Sequence, residues 1–163
     1  MTVCLNPIQI RGAREKDLVG ICQVEDGSFS KPYPHDLIAN LLRDCAGSFF
    51  VAEYTPGTIV GYCVAAEEER SAHLISLGVL RQYRRSGIGT ALVRRLIANL
   101  NSTVKEVWLE AKENNREAIK LYEKMGFKQM STLQNYYEDG SSAVEMLLTI
   151  EDGRFEASRS GAK

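Results

Sequence analysis

The apolar positions of this chain first follow the spacing of helices. Within residues 14–24 and again within residues 35–44, apolar side chains recur every three to four positions, which predicts two helices. Residues 28–34, between them, contain two prolines that block regular backbone pairing and therefore predict a loop. The short run at residues 8–11 predicts a strand ahead of the first helix.

From residue 48 onward the pattern changes to runs of β-branched and aromatic residues. Three such runs, the first two joined by the turn sequence Thr55-Pro56-Gly57, predict an antiparallel meander over residues 48–54, 58–66 and 73–80. After Arg81 strands alternate with helices, which implies a parallel pairing. The expected elements are helices over 87–99 and 115–125 and strands over 104–110, 127–132 and 143–150. The predicted fold class is therefore mixed α/β.

Composition and charge narrow the classes of protein. The 163 residues are 44% hydrophobic and 25% charged, as expected for one globular domain, which we place at residues 1–150 with a disordered polar tail at 151–163. The formal net charge of -1 argues against nucleic acid or a membrane surface as partner. The N-terminus lacks the basic start and long apolar stretch of a signal peptide, so we expect a cytoplasmic protein.

The cysteines indicate neither a metal site nor a disulfide framework. Cys4, Cys22, Cys45 and Cys63 lie at least 18 positions apart, without a C-x-x-C pair or a nearby pair of histidines. We therefore expect no metal and interpret these cysteines as small buried apolar residues.

The segment QYRRSGIGT at residues 82–90 carries the strongest chemical signal. Two glycines, Gly87 and Gly89, open a predicted helix just after a strand, and the backbone N–H groups at a helix start attract anions. The segment matches neither the Walker A nor the G-x-G-x-x-G pattern, so a basic, solvated turn is an alternative. Nucleic-acid binding is a weaker alternative, because no aromatic residue interleaves the arginines of this helix to stack on bases.

Several motifs together resemble the GNAT superfamily of N-acyltransferases. R-R-x-G-x-G at residues 84–89 resembles its acyl-coenzyme A signature, and LEAKENNREAIKLYEKMGF at 109–127 is similar to the strand and helix that follow in protein N-terminal acetyltransferases. AHLISLGV at 72–79 resembles the strand before the turn, and NYY at 135–137 resembles a late tyrosine loop. The resemblance, which covers residues 8 to 150, implies a mostly antiparallel central sheet flanked by helices, with a splayed parallel strand pair holding the acyl-CoA.

The same resemblance implies how the donor, acetyl-CoA, binds. The backbone of Leu77 and Val79 would pair with the pantetheine arm, and Asn115 would also contact the cofactor. The residues implied to hold the pyrophosphate are Arg84, Arg85, Ser86, Gly87, Ile88, Gly89 and Thr90.

Glu110 and His73 are the candidates for removing a proton from the acceptor amine. Alternation along the strand places Glu110 on the face of Trp108, and the resemblance gives this position a catalytic carboxylate. His73 shares a face with Leu77, and by the resemblance it orders, with Glu110, a water that relays the proton. Spacing alone favours an exposed glutamate at a strand end for Glu110 and a structural role for His73.

Tyr122 is the candidate general acid. It belongs to the helix predicted over 115–125, whose end is expected at Gly126. The inward face expected for this helix consists of Ala118, Leu121, Tyr122 and Met125. Spacing alone makes Tyr122 a core aromatic residue, whereas the resemblance implies a phenol beside the coenzyme sulfur. The backbone N–H of Val79 is the candidate donor to the developing oxyanion.

The expected acceptor is the α-amine of a protein or peptide N-terminus, with ribosomal proteins among the substrates, and the acetyl group is expected to transfer directly in a ternary complex. The aromatic residues expected to wall a narrow slot for it are Phe29, Tyr33, Tyr136 and Tyr137. Lys31 stands where similar archaeal enzymes often have glutamate, which leaves the preferred first residue open. Lysine or small polyamine-type acceptors, and a non-catalytic CoA-binding regulatory module, are the alternatives.

A substitution in the glycine turn tests the donor site. Gly89→Glu is expected to abolish acetyl-CoA binding, because the new Cβ and carboxylate would occupy and repel the position of the pyrophosphate. Titration calorimetry of the variant measures this directly. An affinity equal to that of the unmodified protein would contradict the assignment.

Overall fold

The computed structural model describes residues 8–151, which form seven strands and four α-helices. The strands are β1 (Gln9–Gly12), β2 (Phe49–Thr55), β3 (Thr58–Glu67), β4 (Ser71–Val79), β5 (Glu106–Lys112), β6 (Lys128–Leu133) and β7 (Ala143–Thr149). The helices are α1 (Leu18–Ser28), α2 (His35–Asp44), α3 (Ile88–Asn99) and α4 (Arg116–Lys124). Every predicted element is present, most of them within two residues of the expected bounds.

The strands form a mixed, mostly antiparallel sheet, as predicted. Their hydrogen-bonded order is β1-β2-β3-β4-β5-β7-β6. The pairs of β1 with β2, β2 with β3, β5 with β7 and β6 with β7 are antiparallel, and β4 pairs with β5 in parallel. The parallel register comprises three residue pairs, from Ser71 with Glu106 to His73 with Trp108.

The described residues divide into two compact units, and β4 contributes to both. Within the described residues, the first unit contains residues 8–66 and 75–100, and the second contains residues 67–74 and 101–151. The first unit therefore holds the glycine turn and the loop at residues 29–34, which we call the first loop. The second unit holds His73, Glu110 and the loop that carries the two tyrosines of the NYY motif.

The core of the first unit lies between α1, α2 and the strands β2 and β3. Phe49 stacks on Tyr62 with ring centroids 5.7 Å apart, and α1 contributes Ile21 and Val24. The first helix differs from the prediction, because it begins with a 3-10 turn at Glu15–Asp17 and continues to Ser28 instead of ending at residue 24. The apolar pattern stops at that point because the next inward position is a buried glutamate, Glu25.

The core of the second unit includes one face of α4. Tyr122 and Met125 are buried as expected, but Ile119 is the third buried residue, whereas Ala118 and Leu121 are only half-buried. The inward face is therefore rotated from the predicted one. Gly126 ends the helix with a φ of 101°, and the N–H of Phe127 donates to the Tyr122 carbonyl at 3.0 Å.

Among the described cysteines, Cys22 and Cys63 are buried and Cys45 is half-buried. Cys4 and the tail from residue 152 onward lie outside the described residues. Within residues 8–151, no cluster of three or more histidine, cysteine, aspartate or glutamate side chains is arranged to hold a metal ion. The helices of this same segment are all too short or too polar to cross a membrane.

An ion network joins β1, β2 and the start of α1 in the first unit. The Arg11 guanidinium donates from Nη1 and Nη2 to the two Asp17 oxygens at 2.7 and 2.8 Å, and from Nε to Glu53 at 2.9 Å. The Arg14 backbone N–H also donates to Asp17 at 2.8 Å. All three charged side chains are largely buried, so each carboxylate depends on Arg11 for its countercharge.

Removing the shared cation should destabilise the fold. We expect Arg11→Ala to lower the free energy of unfolding by about 3–5 kcal/mol, because it leaves two largely buried carboxylates without a cation. The exposed Arg94→Ala serves as the matched control and should change stability by less than about 0.5 kcal/mol. Urea unfolding of both variants gives the comparison.

The same network makes stability depend on pH. The Arg11 hydrogen bond, above all, holds the pKa of Asp17 below its ordinary value of 3.8. A lowered folded-state pKa contributes stability above the unfolded value, and that stability is lost as the pH falls below about 4. In Arg11→Ala, the free energy of unfolding should therefore fall less steeply as the pH drops below 4. A fall as steep as that of the unmodified protein would contradict this account.

Candidate active site

His73 and Glu110 form the central pair of the candidate site in the second unit. The His73 Nε2 lies 2.7 Å from Glu110 Oε2. The two side chains are 27% and 15% exposed, respectively, so both are sheltered but reachable from solvent. A histidine and a carboxylate in this contact can share and pass on a single proton.

Trp108 fixes the histidine ring. The parallel register places His73 directly beside Trp108, and their rings stack with centroids 3.8 Å apart and planes only 5° from parallel. Alternation along β5 then puts Glu110 two residues further on the same face, where it meets Nε2. The predicted face shared by Trp108 and Glu110 is confirmed, but the stack on His73 was missed because a parallel register cannot be read from either strand alone.

Tyr136 approaches the second oxygen of the same carboxylate. Its hydroxyl donates to Glu110 Oε1 across 3.5 Å, at the outer limit of a hydrogen bond. Burial and then the Glu110 charge raise the pKa of Tyr136, so the phenol stays protonated at neutral pH. The two oxygens of Glu110 thus face two different partners, an imidazole and a phenol.

The loop that carries Tyr136, residues 134–142, is held by short-range contacts. Tyr137 packs edge-on against Tyr136, with centroids 5.0 Å apart, and Lys112 Nζ lies 5.2 Å from the Tyr137 ring centre. Asp139 accepts from the Ser141 N–H at 2.9 Å and pairs with Lys112 at 3.3 Å. Both predicted loop tyrosines therefore lie in an ordered loop, with Tyr136 the more exposed.

Tyr122 and Asn115 have clear structural contacts in α4. Tyr122 is buried and packs edge-on against Phe127, with centroids 5.5 Å apart. The Asn115 side chain accepts from the Ala118 N–H at 3.2 Å and so caps the helix. Packing explains an aromatic residue at position 122, and helix capping explains an asparagine at position 115. The roles implied for Tyr122 in the reaction and for Asn115 in cofactor binding stay predictions.

The glycine turn of the first unit has the features of an anion site. Gly87 has a φ of 85° and precedes the first residue of α3, and a Cβ built on it would meet nothing within 4 Å. Arg85 also has a positive φ, 61°, and its side chain is exposed. The start of α3 therefore presents backbone N–H groups to open space beside a basic side chain, which fits a pyrophosphate.

Arg84 is engaged differently from its neighbour. Its Nε donates to the Val79 carbonyl at 2.8 Å, and its Nη2 lies 3.5 Å from the Ser28 carbonyl. This side chain therefore ties the glycine turn to the end of β4, and Arg85 is the freer cation for a phosphate. Ser86 caps the preceding turn through the Tyr83 carbonyl. Leu77 and Val79 lie on β4 as expected, both half-buried.

The first loop, residues 29–34, depends on a carboxylate that the sequence analysis missed. Phe29 and Tyr33 are both partly exposed, as expected of residues that contact a ligand. The Tyr33 N–H, however, donates to Glu25 Oε1 at 2.7 Å, and Glu25 is buried. The sequence feature that could have indicated this contact is the position of Glu25, an acidic residue on an otherwise apolar face of α1.

Residues 18–127 match the acetyltransferase (GNAT) family. An N-alpha-acetyltransferase of Sulfurisphaera tokodaii is 35% identical to this chain over 152 residues, which cover 85% of this chain and 90% of the relative.

Two solved structures have the same fold. The ribosomal-protein-S18-alanine N-acetyltransferase of Escherichia coli is 28% identical, covers 88% of this chain and 94% of its own, and has a TM-score of 0.79. The Naa50 protein of Arabidopsis thaliana, in complex with the bisubstrate analogue CoA-Ac-MVNAL, is 25% identical, covers 88% and 99%, and has a TM-score of 0.75.

Proposed function

Because this chain belongs to the acetyltransferase (GNAT) family, we propose that it transfers the acetyl group of acetyl-CoA to the α-amine of protein N-termini. The observation that carries the proposal is the 2.7 Å contact of His73 with Glu110, a proton-accepting pair in a chain whose relative is an N-alpha-acetyltransferase. Donor and acceptor would be bound together, and transfer would be direct.

The acceptor class rests on what similar proteins bind. The ligand of the Arabidopsis structure joins coenzyme A, an acetyl group and a peptide beginning with methionine. The Escherichia coli enzyme acts on an alanine of ribosomal protein S18. We therefore propose protein N-termini, those of ribosomal proteins among them, as the substrates. Cys22 and Cys63 are buried thiols, which fits a reducing compartment such as the cytoplasm.

The donor is acetyl-CoA, which supplies the acetyl group as a thioester. The start of α3, with Gly87 and the exposed Arg85, would hold its pyrophosphate through backbone N–H groups and one cation. Residues Ser86 and Ile88 to Thr90 belong to the same turn, and Leu77 and Val79 would offer backbone groups to the pantetheine arm. Asn115 would contribute a further contact.

Glu110 and His73 would remove the proton of the acceptor amine. An α-amine has an ordinary pKa near 8, against about 10.4 for a lysine side chain, so a weak base suffices at neutral pH. Glu110 would accept the proton, directly or through one water, and His73 would share it across the 2.7 Å contact. The Trp108 stack keeps the imidazole turned toward Glu110.

Two further groups complete the proposed chemistry. The Val79 N–H would donate to the oxygen on which negative charge develops, because it lies at the end of an apolar strand. Tyr122 would protonate the departing sulfur. The Tyr136 hydroxyl, beside the other oxygen of Glu110, orients that carboxylate.

Replacement of the base tests the proton transfer. Glu110→Gln is expected to lower kcat by about 10²-fold or more, with little change in KM for acetyl-CoA, because the amide cannot accept the proton. Glu106→Gln, on the same strand but exposed at its other end, is the matched control and should retain full activity. Tyr122→Phe should lower kcat by a smaller factor, since water can protonate the sulfur instead.

Steady-state kinetics across a range of pH distinguish the candidate bases. A Glu110→Gln enzyme with full kcat and an unaltered pH profile would return the role of base to His73 or to bulk water. If Glu110→Gln lowers kcat at every pH while the variant still binds acetyl-CoA, the result supports Glu110 as the base.

A pair of peptides tests the acceptor. One has a free N-terminus and no lysine, and the other is identical except that its N-terminus is blocked and one internal residue is a lysine. We expect faster acetylation of the free N-terminus, because its amine is more readily deprotonated. Mass spectrometry locates the acetyl group, and faster acetylation of the blocked peptide would make lysine or a small amine the substrate class.

A further inference from the structure

Glu25 is a carboxylate buried inside the first unit, and the catalytic pair does not use it. Its side chain is 1% exposed, on the inward face of α1 beside Val24. It accepts a hydrogen bond from the Tyr33 N–H at 2.7 Å and a short one from the Tyr62 hydroxyl. Both donors are neutral, so these two contacts of the buried carboxylate are hydrogen bonds to uncharged groups.

The hydrogen bonds continue from Tyr62 to β4. The Tyr62 hydroxyl lies 2.8 Å from Ser76 Oγ. Burial raises the pKa of Tyr62, so the phenol keeps its single proton. Because that proton is donated to Glu25, the Ser76 hydroxyl must be the donor in the second contact. The result is a directed chain in which Ser76 donates to Tyr62, and Tyr62 and the Tyr33 N–H donate to Glu25.

This series of hydrogen bonds joins the first loop to β4, the strand proposed to bind the donor. Tyr33 lies in the first loop, and Ser76 precedes Leu77 on β4. A Cβ built on Gly78 would lie 3.1 Å from the Tyr62 ring and 3.4 Å from Phe29. The loop and the β4 backbone therefore pack closely around the same tyrosine, and Gly78 makes that approach possible.

The backbone of the first loop is irregular, and the hydrogen bond to Glu25 fixes one point of it. Its six residues, Phe29 to Pro34, contain no helix or strand, and two of them are prolines without an N–H. The Glu25 carboxylate accepts the hydrogen bond of the Tyr33 N–H. Without it, that N–H would donate to a water molecule. Phe29 and Tyr33 are thus presented in one arrangement by a group that is itself hidden from solvent.

We infer that Glu25 is a positioning residue for the peptide acceptor, holding Phe29 and Tyr33 in the geometry that receives the first residues of the acceptor chain. This inference rests on the proposed function, because it assigns the loop to peptide binding. Glu25 touches none of the reacting atoms. Its loss should therefore weaken peptide binding much more than donor binding or the chemical step.

The test compares three substitutions in the full-length enzyme. Glu25→Ala should raise KM for the peptide about tenfold or more, because two hydrogen bonds to a charged group are lost. Glu25→Gln should restore KM to within about threefold, because its amide oxygen accepts from Tyr33 and its NH₂ can donate to the Tyr62 oxygen. Tyr62→Phe should give an intermediate rise. In all three, KM for acetyl-CoA should change by less than about twofold.

Leu96→Ala is the matched control for a loss of stability alone. Leu96 is fully buried in the same unit but lies near the end of α3, outside the core cluster that contains Tyr62 and Val24. It should lower the melting temperature without changing either KM. If Leu96→Ala raised KM for the peptide as much as Glu25→Ala does, Glu25 would have only a structural role and the inference would be wrong.

A second measurement follows the loop without relying on catalysis. Chymotrypsin can cleave after Phe29, and Pro34 protects the bond after Tyr33. In native conditions Glu25→Ala should be cleaved at Phe29 at least about tenfold faster than the unmodified protein, whereas Glu25→Gln and Leu96→Ala should not.

The two measurements separate the inference from the proposed function. If the unmodified enzyme fails to acetylate peptides but Glu25→Ala still opens the loop, the proposed function fails and the loop contact stands. If the enzyme acetylates peptides and Glu25→Ala changes neither KM nor cleavage, the inference fails alone. Should Glu25→Ala not fold, Tyr62→Phe must raise both the peptide KM and the cleavage rate, or the inference is wrong.

Discussion

The parallel pairing of β4 with β5 is the constraint on which the candidate active site depends. Its three residue pairs end at His73 with Trp108, and this register brings the imidazole onto the indole face. Because side chains alternate along β5, the residue two positions beyond Trp108 is Glu110, whose carboxylate then meets Nε2. A shift of one residue in the register would turn His73 away from both partners.

Three buried or sheltered carboxylates are compensated in three different ways. Asp17 is paired with a guanidinium in a bidentate contact, which fixes its charge and lowers its pKa. Glu25 is surrounded by neutral donors that hold it in one orientation. Glu110 faces an imidazole and a distant phenol, partners that can exchange a proton. The first two arrangements suit fixed structure, and only the third suits proton transfer.

Much of the fold was predictable because its signals are local. Local signals near the element ends are the two prolines of the first loop, Gly87 before α3 and Gly126 after α4. Each acts on the backbone within a few residues, and the elements begin and end near them. The face shared by Trp108 and Glu110 follows from alternation along one strand. The motif resemblance around residues 72–137 supplied the family, which residues 18–127 confirm.

The sequence by itself thus determined the order of elements, the position of the glycine turn before α3 and the choice of Glu110 as the candidate base. Only the tertiary structure decided which partners these residues meet. His73 and Glu110 are 37 positions apart, as are Glu25 and Tyr62, and no periodicity within one element reports on such a distance. Glu25 ends the apolar pattern of α1 in the sequence, yet its side chain lies in the core. It can be buried because the Tyr33 N–H of the first loop and the Tyr62 hydroxyl of β3 donate hydrogen bonds to it.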